Sequence, residues 1–143
     1  MARIQIELPA TFPFATEIPV RITDINYGNH LGNDSLLSLL HEARLQFLKQ
    51  LGNSEVDVGG CGIMTVDVAI SYRKEVFYGD TLRIEVGVAD LQRSGCDFVY
   101  RVTKAGTGEL VAEAKTSTIF FDYQKRKITR APEKFVAAVA GKS

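Results

Sequence analysis

The chain has 143 residues, of which 45% are hydrophobic and 24% charged, as expected for one domain with a core of its own. Seventeen basic and seventeen acidic residues cancel, so neither a nucleic-acid-binding surface nor a polybasic membrane patch is predicted. The first residues lack the apolar stretch of a signal peptide and no apolar run is long enough to cross a bilayer, so we expect a cytoplasmic protein.

The first predicted strand leads into a polar loop. Residues Thr16 to Thr23 alternate between apolar and polar positions, although Pro19 favours an edge or irregular strand. The loop that follows carries four polar side chains, Asp24, Asn26, Asn29 and His30. It lies just ahead of a predicted helix, whose first N–H groups have no intrahelical partners and carry partial positive charge. We therefore predict that an acyl carbonyl binds here, with backbone N–H groups near Gly28 to Leu31 as donors.

A single long helix is predicted from about Asp34 to Leu51. Its apolar residues recur at three- and four-residue steps, namely Leu36, Leu40, Ala43, Phe47 and Leu51. Asn33, Asp34 or Ser35 can cap its start, and Gly52 can end it in the left-handed conformation. Further leucines widen the apolar surface, which indicates a helix wrapped by other structure.

Four segments with a period of two follow and predict strands: Met64 to Arg73, Thr81 to Leu91, Cys96 to Lys104, and Leu110 to Tyr123. A glycine-containing turn precedes each of the last three, which predicts hairpins and antiparallel pairing. Pro132 to Ala140 is predicted to form a short terminal helix. One helix and an antiparallel sheet of about five strands predict an α+β domain over residues 1–143, with the helix in the concave face of the curved sheet. Long sheet edges predict a homodimer or homotetramer.

Two segments resemble the hot-dog fold thioesterases, in particular the group with 4-hydroxybenzoyl-CoA thioesterase and short acyl-CoA thioesterases. The first is VRITDINYGNHLGNDSLLSLLHEAR, beginning at Val20, and the second is VDVAISYRKEVFYGDTLRIEV, beginning at Val66. The resemblance implies hydrolysis of an acyl-CoA or acyl-carrier-protein thioester at a dimer interface. Coenzyme A would enter as part of the substrate, and no other cofactor and no metal is expected; Cys61 and Cys96 lack metal-ligand spacing.

The loop departs from the pattern of these relatives at one position. Many of them hold two acidic residues two positions apart, whereas this chain has Asp24 and Asn26. An amide cannot take a proton from water, so Asn26 is expected to orient a water or bind the thioester carbonyl. The proton acceptor must then be Asp24, His30, Glu42 or Asp67, and we take Asn26, His30, Glu42 and Asp24 as the catalytic candidates.

Several candidates also have structural explanations. Asp24 is well placed to cap a turn, and Glu42 becomes a usable base only if a partner subunit covers its flank of the helix. Arg44 shares the apolar side of the helix, which favours a buried ion pair or packing of its stem. The residues expected at the phosphates of coenzyme A are Arg73, Lys74, Arg93 and Ser94.

Two other functions fit the same residues. A hydratase or dehydratase of the same fold is suggested by Asp24 and Asn26 followed by His30, and it would release no thiol. A non-catalytic protein that binds acyl thioesters is suggested by the amide of Asn26 in place of a carboxylate.

Overall fold

A computed structural model of the protein describes residues 1–140 and consists of one six-stranded antiparallel sheet and two α-helices. The elements in chain order are β1 (Phe14–Pro19), α1 (Asn33–Gln50), β2 (Gly62–Tyr72), β3 (Thr81–Ala89), β4 (Gly95–Lys104), β5 (Leu110–Asp122), β6 (Lys127–Ile128) and α2 (Glu133–Ala140). The predicted α+β architecture and all four strands after the helix are confirmed. The domain prediction also included residues 141–143, which lie outside the described part.

Helix α1 lies against one face of the sheet and supplies much of the core. Leu36, Leu40 and Phe47 are almost completely buried, as are Ile84 of β3 and Phe98 of β4, which belong to the same cluster. The helix has apolar residues on several sides because the curved sheet covers it broadly, as predicted. It begins one residue earlier than expected, and Gly52 ends it with a φ of +82°.

The strand order in the sheet is β1-β3-β4-β5-β2, and β6 pairs with the end of β5. This order corrects the prediction of a hairpin between β2 and β3. The turn at Tyr78 to Asp80 exists, but the connection over residues 73–80 is too long for a tight hairpin and carries the chain across the sheet. Strand β2 therefore pairs with β5, with Tyr72 opposite Ala112.

The first strand is shorter than predicted and ends at Pro19. A single 3-10 turn over Ile22–Asp24 replaces the predicted strand residues that follow it. Proline has no N–H to donate, so the ladder with β3 stops there. This early end turns the chain toward the start of α1 and so positions the polar loop.

Strand β2 forms one edge of the sheet and pairs only with β5. It is eleven residues long and leaves apolar side chains in solvent: Val66 is 54% exposed, Val68 41% and Tyr72 42%. A long apolar edge is a template for pairing with another chain.

Within residues 1–140, neither helix is long and apolar enough to span a membrane.

Both cysteines are unpaired, buried thiols. Burial raises the pKa of Cys96 to about 11, and burial together with the nearby carboxylates of Asp122 and Asp57 also raises the pKa of Cys61. Since the thiolate is the reactive form, we expect a chromogenic disulfide reagent at pH 8 to label the folded protein slowly and the unfolded protein at both thiols at once. Rapid labelling of one thiol in the folded state would contradict this prediction.

Candidate active site

A cleft of about 390 Å³ opens where the polar loop, the start of α1 and the end of β2 meet. Its apolar wall is formed by Leu31, Leu36, Val76 and Val111, and its polar wall by Asn26, His30, Gly32, Asn33, Tyr72, Arg73, Lys74 and Glu75. The cleft is large enough for a small acyl group and brings together side chains that are far apart in the sequence.

Backbone and carboxylate hydrogen bonds fix the loop that lines this cleft. The carboxylate of Asp24 is buried and accepts from the backbone N–H and the guanidinium of Arg21 at 2.9–3.3 Å. The carbonyl of Asp24 accepts the N–H of Gly32, and the N–H of Asn26 donates to the carbonyl of His30. Asp24 is thus committed to holding the loop and does not line the cleft.

Asn26 is the loop residue at the position of the expected second carboxylate. Its Oδ1 accepts the N–H of Gly28 at 2.9 Å. We place the amide oxygen there because an N–H must meet an acceptor, which leaves the two N–H groups of the side chain for a ligand. Asn26 is therefore a donor in the cleft and not a base.

His30 presents one ring nitrogen as a proton acceptor. Its Nδ1 lies 3.1 Å from the carbonyl oxygen of Leu31, which only accepts, so we assign a proton to Nδ1. In the neutral ring this leaves Nε2 free to take a proton. A β-carbon at Gly28 would lie 3.2 Å from Oδ1 of Asn26 and 3.4 Å from Nε2 of His30, so glycine keeps the space between these groups open.

The first turn of α1 is open toward the cleft. Its N-cap is Gly32, which has no side chain to bond the first N–H groups, and Gly32 and Asn33 line the cleft. Within the predicted donor segment, the N–H groups of Gly28, Asn29 and Leu31 are already bonded, to Asn26 Oδ1, Asn26 O and Val76 O. This narrows the predicted donors to the N–H of His30, and the open helix start adds the N–H of Asn33.

Three charged residues follow β2 and line the cleft. Two of them, Arg73 and Lys74, were predicted; Arg73 pairs with Glu113 at 3.0 Å and Lys74 with Glu109 at 3.6 Å. The third, Glu75, was missed and is the only carboxylate among the described lining residues. No pattern in the sequence singled it out, since it lies between Lys74 and the apolar run Val76 to Tyr78 in a connection between strands.

The structure does not bring the other candidates to this cleft. Glu42 is exposed and accepts from Gln46, on a flank of α1 that does not line the cleft. Arg93 and Ser94 form the turn between β3 and β4, at the other end of the sheet. This turn is roughly 23 Å from the cleft, which is the distance along β5 between the residue that pairs with Gly95 and the residue that pairs with Tyr72. Asp67 pairs with Lys115 across the sheet, outside the cleft.

A second cavity of about 430 Å³ lies further along α1, toward the start of β2. Arg44 is buried beside it and donates to Glu55 at 2.7 Å and to the hydroxyl of Tyr100 at 3.2 Å, which confirms the predicted buried ion pair. His41 also contacts Glu55, at 2.7 Å. Burial raises the pKa of Glu55, but the hydrogen bonds from His41 and Arg44 outweigh it and hold the pKa below its ordinary value.

Comparison with known proteins gives a consistent set of similarities. The family described as "Thioesterase-like superfamily" matches residues 20–139. A Synechocystis protein named "Putative esterase sll0410" is 28% identical over 130 residues, covering 88% of this chain and 78% of its own length. The structure of Slr0204, a 1,4-dihydroxy-2-naphthoyl-CoA thioesterase from Synechocystis, superposes with a TM-score of 0.81 at 21% identity and covers 89% of this chain and 95% of its own. A Thermus thermophilus thioesterase complexed with coenzyme A and Zn gives 0.81 at 20% identity, with 93% and 96% coverage.

Proposed function

The chain belongs to the thioesterase-like superfamily and has the hot-dog fold, and on this basis we propose that it hydrolyses acyl-CoA thioesters in the cleft beside α1. Thioester hydrolysis is the reaction class that its family membership supports. The observation that carries the proposal is the convergence of the amide of Asn26, the imidazole of His30 and the open helix start on one cleft. Water adds to the thioester carbonyl, the C–S bond breaks, and the products are a carboxylic acid and coenzyme A.

The carbonyl oxygen is stabilised by donors that are already in place. The side-chain amide of Asn26 and the start of α1 at Asn33 line the same cleft, and both carry N–H donors. Negative charge that develops on this oxygen as water attacks is further favoured by the positive end of the helix dipole. Preorganised donors of this kind supply the largest part of many enzymes' rate enhancement.

His30 takes the proton from the attacking water. Its ring is oriented by the bond from Nδ1 to Leu31, so Nε2 accepts the proton and later returns it to the departing thiolate. The carboxylate of Glu75 is the other possible acceptor in the cleft. We assign the base to His30 because its ring is held in place by the bond to Leu31, whereas Glu75 is exposed.

We propose a homodimer that joins two β2 edges antiparallel about a two-fold axis, and a homotetramer would be two such dimers. The support is the unpaired edge of β2 with its exposed valines. Antiparallel pairing brings the far end of the partner's sheet beside this cleft. Arg73 and Lys74 of one subunit and the partner's Arg93 and Ser94 then approach the two ends of one bound coenzyme A.

The test is thiol release from short, long and aromatic acyl-CoAs, followed with a chromogenic thiol reagent. We expect turnover of at least one acyl-CoA without added metal or cofactor, because the cleft residues perform each step. If thiol is released only from acyl-carrier-protein thioesters and not from acyl-CoAs, the natural substrate is carried by acyl carrier protein and not by coenzyme A. Binding of acyl-CoA without thiol release would overturn hydrolysis and favour a hydratase or an acyl-thioester-binding protein.

A cytoplasmic location is part of the proposal, since both cysteines are unpaired thiols.

Replacing Asn26 by alanine is expected to lower kcat about 100-fold, because the loss of one donor to the oxyanion typically costs about this much. The measurement is steady-state kinetics with the best acyl-CoA, alongside thermal denaturation to show that the loop still folds. As a control, Asn29→Gly changes a neighbouring loop residue that does not line the cleft, and glycine tolerates the φ of +68° found there. An Asn26→Ala enzyme as active as the wild type would remove Asn26 from the proposed site.

A further inference from the structure

We propose that Tyr72 is a positioning residue for thioester hydrolysis: its hydroxyl holds the first residue of α1, so that the N–H of Asn33 is fixed as a donor to the carbonyl oxygen in the cleft. This inference rests on the proposed function and adds a residue to the same site. Tyr72 acts through Asn33 and exchanges no proton with the substrate.

The start of α1 has no cap of its own. Its N-cap residue is Gly32, and no side chain at this position bonds the first N–H groups. An uncapped helix end frays, because its first N–H groups have no partners within the helix. A donor at Asn33 can therefore stabilise a carbonyl oxygen only if other parts of the chain hold this turn in place.

Tyr72 holds this turn from the end of β2. Its hydroxyl donates to the carbonyl of Asn33 at 2.8 Å, across 39 residues of sequence. Burial and the nearby carboxylate of Asp34 raise the pKa of Tyr72 above its ordinary value of 10.0, so the hydroxyl keeps its proton near neutral pH and remains a donor. Because this proton is used on Asn33, Tyr72 does not serve as a general acid.

A second bond holds the other side of the N-cap. The N–H of Leu31 donates to the carbonyl of Val76 at 2.7 Å, and Val76 is buried in the core. Tyr72 ends β2 and Val76 lies in the connection that follows it. One short segment thus bonds the residue before Gly32 and the residue after it, and so fixes the start of α1 against the sheet.

The fixed helix start lies beside the other donor to the carbonyl. A β-carbon at Gly32 would lie 3.7 Å from Cβ of Asn26, and Asn26 and Asn33 both line the cleft. Two donors stabilise one oxygen only while their spacing is kept, and a misplacement of about 1 Å can cost about 100-fold in rate. The bond from Tyr72 keeps this spacing. It should therefore matter more in the transition state, where the oxygen carries negative charge, than in substrate binding.

The first test is steady-state kinetics of Tyr72→Phe with the best acyl-CoA. This variant keeps the ring and loses only the bond to Asn33, so kcat and kcat/KM should fall together by about tenfold. The loss is smaller than for Asn26→Ala because the N–H of Asn33 is displaced and not removed. A wild-type kcat, or a change in KM alone, would overturn the proposal. The matched control is Tyr78→Phe, which should keep wild-type kinetics because Tyr78 is 65% exposed and does not line the cleft.

A second readout needs no turnover and separates this inference from the proposed function. The probe is S-(2-oxopropyl)-CoA labelled with ¹³C at its ketone, which offers a carbonyl oxygen but no thioester bond for water to break. The ¹³C resonance of a carbonyl moves downfield when donors bind its oxygen. We expect a downfield shift on binding to the wild type and a smaller shift on binding to Tyr72→Phe.

Equal shifts in the two proteins would overturn the positioning role, whether or not thioesters are hydrolysed. A reduced shift in Tyr72→Phe, together with no thiol release by the wild type, would overturn only the hydrolysis. Size-exclusion chromatography and thermal denaturation check that the variant is folded. A second variant, Tyr72→Leu, also lacks the hydroxyl and should show a loss of kcat at least as large.

Discussion

Replacing His30 by glutamine is expected to lower kcat for acyl-CoA hydrolysis by about 10²–10⁴-fold, the usual contribution of a positioned general base. Glutamine keeps a polar side chain of similar reach but cannot accept a proton from water. The bond from Nδ1 of His30 to the carbonyl of Leu31 fixes the ring, and no other imidazole lines the cleft among residues 1–140. The measurement is a single-turnover or steady-state thiol-release assay with the best acyl-CoA.

The matched control is Glu75→Gln, which removes the only carboxylate among the described lining residues of the cleft. If His30 is the base, the loss of Glu75 should lower kcat much less than the loss of His30. A larger loss with Glu75→Gln than with His30→Gln would transfer the role of base to the carboxylate. Glu42→Gln should leave kcat unchanged if one subunit supplies every catalytic group of its cleft. A lower kcat for Glu42→Gln would show that the partner's Glu42 reaches the site.

Replacing Arg44 by methionine is expected to lower the free energy of unfolding by about 3 kcal/mol, the lower end of the cost of breaking a buried ion pair. The side chain of Arg44 is 7% exposed, and its guanidinium donates to Glu55, Tyr100 and Thr116, all of which lose a donor. Glu55 keeps a quarter of its side chain in solvent, so water relieves part of the penalty. Urea denaturation gives the free energy, and Lys115→Met, which removes an exposed ion pair with Asp67, is the control with little expected effect.

The cost of Arg44→Met should also depend on pH. The pKa of Glu55 is held below its ordinary value of 4.5, since the hydrogen bonds from His41 and Arg44 outweigh the opposing effect of burial. A group with a lowered pKa in the folded state stabilises the fold above its unfolded pKa, and this contribution is lost as the pH falls through the folded pKa. The difference between wild type and variant should therefore be full near neutrality and shrink below about pH 4. A difference independent of pH would show that packing, and not the charge of Glu55, carries the effect.

Local patterns predicted the elements of this fold well. The period of the apolar residues gave α1 to within one residue at each end and β3, β4 and β5 to within two, because side-chain direction is fixed by helix and strand geometry. Gly52 ends the helix as expected, since it adopts a φ that other residues avoid. The buried pairing of Arg44 also followed from its place on the apolar side of the helix.

The sequence alone determined the fold class, the polar loop ahead of α1 and two of the residues that meet there, Asn26 and His30, because these depend on neighbours along the chain. Only the tertiary structure decided which distant residues join them. The pairing of β2 with β5 brought Tyr72, Arg73 and Glu75 to the loop and left Glu42, Arg93 and Ser94 elsewhere. Strand order is set by packing across the whole sheet, and no local pattern encodes it.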